Sequence, residues 1–213
     1  MKILDLTHSM SPNMPVYPGT EPPLFITGCS IDEVGFLEKK ITLYSHTGTH
    51  IDAPAHMIKG RKTLDQFPAA HFYGPALMLN FGNFPSETIG VKELEPYRGK
   101  VKDVEFLLLH TGWSQYWGTE KYFSNFKVLS LEAANWLSSF GLKGFGVDAI
   151  SADTADTHDY PVHKALLQRN TIIIENLCNL SALPGSTFTF SCFPLKFEDA
   201  DGSPVRAVAY IED

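Results

Sequence analysis

His46-Thr47-Gly48-Thr49-His50-Ile51-Asp52-Ala53-Pro54-Ala55-His56 carries three histidines and an aspartate, every one at an even position. Successive side chains of an extended strand point to opposite faces, so the even positions share one face. The odd positions hold Thr47, Thr49, Ile51, Ala53 and Ala55, which suit a buried or neutral face. A helix competes, because His46 and His50 are also four residues apart. Gly48, Pro54 and the β-branched residues between them disfavour it, and the stretch reads as a strand. A straight strand would separate the His46 and His50 Cα atoms by roughly 13 Å, at about 3.3 Å per residue. That is near the limit for two imidazoles reaching one ion at about 2.1 Å. The chain is therefore expected to bend at Gly48, where no side chain resists it. Packing gives no reason to gather imidazoles and a carboxylate on one face, whereas a divalent metal does.

Outward from this stretch the chain is strand-rich. Glu38 to Ser45, Gly74 to Asn80, Val104 to Leu109 and Phe145 to Ala149 read as strands. Thr171 to Glu175, Thr187 to Phe193 and Val205 to Ile211 do as well. The clearest helix is Leu131 to Phe140, with Ser130 as N-cap and Gly141 past its end. Val162 to Gln168 is a shorter one. The order is not a regular βα alternation, which predicts a mixed α/β domain rather than a Rossmann sheet or TIM barrel. Gly144-Phe145-Gly146-Val147-Asp148-Ala149 superficially fits a dinucleotide loop, but its glycines open a strand instead of following one. With no repeat or polar linker, residues 1–213 read as a single domain. Residues 1–37, rich in proline around Ser11 to Pro23, read as an extended arm over this subunit or a neighbour.

Composition excludes several classes. Seventeen basic and twenty-four acidic residues give a net charge of -7, which argues against a nucleic-acid partner. No apolar run reaches about 18 residues, so no membrane span is expected. The start, MKILDLTHSM, places Asp5 and His8 where a signal peptide needs apolar residues, and a cytoplasmic location is expected. Cys29, Cys178 and Cys192 are an odd count without metal-site spacing and read as reduced thiols.

Outside the histidine stretch, Glu175 ends the apolar run Ile172-Ile173-Ile174. An acid at the end of a buried strand needs a partner, a cation or an arginine. Asp148 at a strand end is a candidate to orient a ligand histidine. His158, among Asp153, Asp156 and Asp159, reads as a solvated loop residue, with a place behind the metal ligands as the alternative. Tyr17, Phe67, Phe72, Trp113 and Trp117 are candidate pocket aromatics, and Tyr17 and Trp113 are taken as substrate-binding.

The pattern His46-x-Gly48-Thr49-His50-x-Asp52-x-Pro54-x-His56 resembles the signature of the cyclase family, which includes bacterial kynurenine formamidases and isatin hydrolases. The resemblance extends to Met14-Pro15-Val16-Tyr17-Pro18-Gly19, Leu109-His110-Thr111-Gly112-Trp113, Pro161-Val162-His163, Ile174-Glu175-Asn176 and Gly202-Ser203-Pro204-Val205-Arg206. It implies a fold of the swivelling β/β/α type, a homodimer or homotetramer, and a hydrolase with two divalent ions per chain, zinc or alternatively manganese. On that pattern His46, His50 and Asp52 bind one ion, Asp52 bridges to a second held by His163 and Glu175, and His56 is the acid/base. The implied reaction is hydrolysis of N-formylkynurenine to kynurenine and formate. Opening of a cyclic amide or ester such as isatin is the alternative, and a metal-binding protein without turnover is the rival of another class. One departure stands out: the formamidases tend to carry Trp-Pro-Gly-Asp where this chain has Tyr17-Pro18-Gly19-Thr20.

Overall fold

The computed structural model describes residues 1–212. Its strands are β1 (Lys2–Asp5), β2 (Leu24–Cys29), β3 (Glu38–Thr42), β4 (His50–Asp52), β5 (Tyr73–Asn80), β6 (Thr88–Ile89), β7 (Phe106–His110), β8 (Val128–Leu129), β9 (Gly144–Val147), β10 (Ile172–Glu175), β11 (Phe188–Pro194) and β12 (Gly202–Ile211). The α-helices are α1 (Ile31–Val34), α2 (Pro54–Met57), α3 (Val91–Leu94), α4 (Arg98–Lys102), α5 (Leu131–Ser138) and α6 (Pro161–Leu167).

Eight strands form one sheet in the order β1-β12-β11-β5-β7-β9-β10-β4. β4 also pairs with β12, through Gly202 opposite Asp52 and Pro204 opposite His50, and this closes the sheet into a barrel-like ring. β5, β7, β9 and β10 run parallel, whereas β4, β11 and β12 join antiparallel. The parallel strands are buried on both faces, which is why they read as unbroken apolar runs. In β7, Phe106 and Leu108 face the ring interior with Ile51, Ile174 and Phe190, while Leu107 and Leu109 face the layer carrying α5 and α6. Ser130 caps α5, its Oγ accepting from the Ala133 amide at 3.1 Å.

Two expectations need correction. Residues 1–37 are not one extended arm. Lys2–Asp5 pairs with β12 in the main sheet, Leu6 is fully buried, and Leu24–Cys29 forms a hairpin with β3. The short, polar-interrupted β1 gives little pattern by itself and gains its place from β12. The histidine stretch is likewise not one strand. Only His50–Asp52 is β4, Gly48 turns the chain at φ 70°, and Pro54 opens the single turn α2 that contains His56. Proline is favoured in the first turn of a helix because its missing N–H would be unpaired there anyway.

Candidate metal centre

The three segments of the histidine stretch converge where the carboxyl ends of β9 and β10 meet β4. The turn at Gly48 brings His46 back beside His50, their ring centroids 5.1 Å apart and perpendicular. Gly48 O accepts from His50 Nδ1 at 2.8 Å and from Asn176 Nδ2 at 2.9 Å. The Nδ1 proton is thereby fixed, and the His50 Nε2 lone pair faces Asp52 Oδ1 at 3.2 Å and Glu175 Oε2 at 3.6 Å. His163, on the first turns of α6, is set the same way. Asp153 Oδ2 accepts from its Nδ1 at 2.6 Å, leaving Nε2 at 3.1 Å from Glu175 Oε1 and 3.5 Å from Asp52 Oδ2. His46 places Nδ1 2.7 Å from Asp52 Oδ1 and Nε2 3.1 Å from Asp201 Oδ2.

Asp52 and Glu175 are buried, and among the described residues their ion-pair partners are all histidines. Burial opposes charge on every one of these groups. At His46 the charge of Asp52 and the hydrogen bond to Asp201 outweigh burial and push the imidazole up to about 10. His163 is held well above its ordinary value against burial by Asp153, Asp52 and Glu175. Asp52, wholly buried, is held well below the carboxylate range by His46, His163 and His50. Such a site calls for positive charge, and protons on imidazole satisfy it only in part.

A divalent cation fits. His46, His50 and Asp52 offer three ligand atoms within 4.8 Å of one another, and so do Asp52, His163 and Glu175. Imidazole nitrogens and carboxylate oxygens are the donors that zinc and manganese accept. His46, His56 and Asp201 form a third such group, sharing His46 with the first. His56 lies at the rim, half-buried, its ring centroid 3.8 Å from that of His46 and its Nδ1 3.7 Å from Asp201 Oδ2. Burial lowers its pKa, which leaves it a proton acceptor.

All six of these predicted residues line one cavity of about 370 Å³, together with Tyr17, Met57, Ile150, Tyr160 and Asp201. Trp113 does not. It is buried behind the site, its Nε1 donating to Tyr122 O at 3.2 Å, because the 111–117 segment packs into the α5–α6 layer. Phe67 and Phe72 belong to the ring interior, and Trp117 stacks on His8 at 3.9 Å. Asp148 orients no ligand histidine: it accepts from the Thr111 and Gly112 amides at 2.8 and 2.9 Å and fixes that turn. That orienting role falls to Asp153, which the sequence groups with the loop of the exposed His158. Its carboxylate also accepts from the Val162 and His163 amides, capping α6 from eight residues before Pro161, a distance at which no local helix-start signal marks it. Asp201 and Tyr160 carry no sequence signal of comparable strength.

The Cyclase family model, described as "Putative cyclase", matches residues 4–154, and the chain belongs to that family. A kynurenine formamidase of Bacillus cereus is 35% identical over 207 residues, covering 96% of this chain and 95% of its own. A crystal structure of an isatin hydrolase bound to the product analogue thioisatinate superposes with a TM-score of 0.91, at 23% identity, over 100% of this chain and 93% of its own. A Bacillus stearothermophilus protein described as a predicted metal-dependent hydrolase superposes with a TM-score of 0.80, at 27% identity, over 98% and 97%. Fold and family are thus those of metal-dependent hydrolases.

Proposed function

We propose that the chain hydrolyses the carbon–nitrogen amide bond of an aryl formamide, with N-formylkynurenine as the best candidate, using two divalent ions. The observation that carries this reading is the divided carboxylate of Asp52. Its Oδ1 faces His46 and His50, and its Oδ2 faces His163, the arrangement of a bridge between two ions. His46, His50 and Asp52 would hold one ion, and Asp52, His163 and Glu175 the other. Zinc is the preferred metal and manganese the alternative. Bound there, the ions supply acidification of a water and polarisation of the scissile carbonyl. The chain supplies the rest. His56, neutral and at the rim, takes the water's proton and returns it to the leaving nitrogen. Asp153 and Gly48 O hold the His163 and His50 rings in the ligating tautomer. Pro15, Val16, Tyr17, Met57 and Ile150 give the cavity an apolar wall for an aryl group.

Opening of a cyclic amide such as isatin is the second reading. It is favoured by Tyr17, which stands on the cavity wall at the place of the formamidases' tryptophan. We place the protein in the cytoplasm as a homodimer or homotetramer. The exposed Leu24, Ile26, Phe36, Leu37 and Ile41 on and beside the β2–β3 hairpin support a second copy as its cover. Metal analysis with parallel assays on N-formylkynurenine and isatin tests the activity. Two ions per chain with faster turnover of N-formylkynurenine is the expected result. Absence of bound metal, or of turnover on either compound, would overturn the reading.

A further inference from the structure

Tyr160 is the wrong residue for its backbone. Among the described residues six non-glycine positions have positive φ, and five of them are Asn or Asp, which tolerate that region. The sixth is Tyr160, at φ 48° and ψ 54°. It is also the N-cap of α6 and contributes no side-chain cap hydrogen bond there. Asn would suit the left-handed backbone, and the cap needs nothing from this position because Asp153 accepts from the Val162 and His163 amides. Bulky residues persist in such conformations where the surroundings enforce them, most often at functional sites.

The side chain supplies the reason. Tyr160 lines the metal-centre cavity, and its ring stands edge-on to that of His163 with centroids 5.9 Å apart. Tyr17, another wall residue of the cavity, is its neighbour there. Each phenol carries one hydroxyl hydrogen, so even a bond between the two leaves one hydrogen for an acceptor in the cavity. The pair lies at the metal centre, lining the same cavity as His163 and Glu175. Burial, Tyr160, Glu175 and Asp153 push Tyr17 up to about 12, so it stays a protonated donor.

We propose that Tyr160 is a catalytic residue, its phenol standing with that of Tyr17 on the cavity wall and donating a hydrogen bond to the oxygen of the carbonyl under attack. This rests on the hydrolase reading above. A donor aimed at that oxygen strengthens as negative charge builds on it, so its effect belongs to kcat rather than KM.

The test uses the full chain loaded with zinc, N-formylkynurenine as substrate and benzoate as an unreactive aryl carboxylate titrated by calorimetry. Tyr160→Phe should keep its metal content and KM while kcat falls about 10-fold to 100-fold, the range of a single lost oxyanion donor at its lower end. Benzoate should bind roughly 5-fold to 10-fold more weakly, as expected for one lost hydrogen bond. Adding Tyr17→Phe should lower kcat by no more than about 3-fold further, because the two phenols act as one unit. Tyr160→Asn should melt no lower than the parent while losing turnover. A Tyr160→Phe variant with parental kcat and parental benzoate affinity would overturn the proposal, and so would a Tyr160→Asn variant that melts several degrees lower. If the parent does not hydrolyse N-formylkynurenine, the hydrolase reading fails by itself. The benzoate titration then decides Tyr160: weaker binding upholds its hydrogen bond, and equal binding removes it.

Discussion

Gly202→Ala tests the metal centre without touching a ligand. Gly202 opens β12 opposite Asp52, directly against the His46 ring. A Cβ there would stand 2.4 Å from His46 Cε1, 2.6 Å from Nε2 and 2.9 Å from Nδ1. Ordinary van der Waals contact begins at 3.4 Å, so the ring must retreat by about 1 Å. Gly202 has no positive φ, and alanine adds no backbone strain. The damage is therefore steric and falls on His46. A retreat of that size breaks the 2.7 Å contact with Asp52 and the 3.1 Å contact with Asp201. Overpacking of this kind costs roughly 1–3 kcal/mol. Loss of a ligand's supporting contacts weakens metal binding about 10-fold to 100-fold. Competition titration with a zinc chelator, alongside thermal melts, gives both quantities. Gly99→Ala is the control: Gly99 lies in α4 with open space around its missing Cβ. That variant should bind zinc normally and gain up to about 1 kcal/mol from helix propensity. A Gly202→Ala protein with parental zinc affinity would show that His46 has no part in holding the ion.

The remaining expectations concern the ligands, the acid/base group and a histidine outside the site. Asp52→Ala should lose both ions, more completely than any single histidine variant, since each of its oxygens faces a different imidazole set; two ions bound with unchanged affinity in calorimetry would remove the bridge. His56→Ala should retain both ions while turnover falls roughly 100-fold, whereas His50→Ala loses metal and activity together. Metal content and kcat measured on the same preparations separate the two, and loss of an ion from His56→Ala would make it a ligand. Burial pushes His8 down to about 4 from an ordinary 6.5, and its Nε2 has no hydrogen-bond partner among the described residues. Between those values the unfolded chain binds a proton that the native chain refuses. Its contribution is therefore complete above about pH 6.5 and lost as pH falls toward 4. Urea midpoints at pH 7 and pH 5 should differ less in His8→Gln than in the parent, and an equal drop in both would contradict the assignment.

The residues gathered at the candidate metal centre were legible in the sequence because most of them sit at short, regular spacing on constrained residue types. Their conformation was not. Alternation placed His46, Asp52 and His56 on one strand face, whereas a turn, three strand residues and a helical turn bring them together. The bend at Gly48 was foreseen from reach alone, since two imidazoles on a straight strand lie too far apart. α5, α6 and the parallel strands were legible within a few residues, whereas α1 to α4, of four or five residues each, were not. In the parallel strands the apolar runs are buried on both faces and tertiary context agrees with the local signal.

Two of the residues that stayed hidden have partners distant in sequence. Asp201 reaches His46 across 155 positions, and Asn176 reaches Gly48 across 128. β4 finds its place only because β10 and β12 flank it, so no pattern within residues 46–56 marks where the strand begins. Trp113 failed for the opposite reason. An aromatic residue in a motif resembling the family's central strand is read as pocket-lining, yet its indole N–H is satisfied by a backbone carbonyl within the core. Local conflict is the better guide. Tyr160 does not suit its φ, and it lines the cavity with Tyr17 and Tyr44.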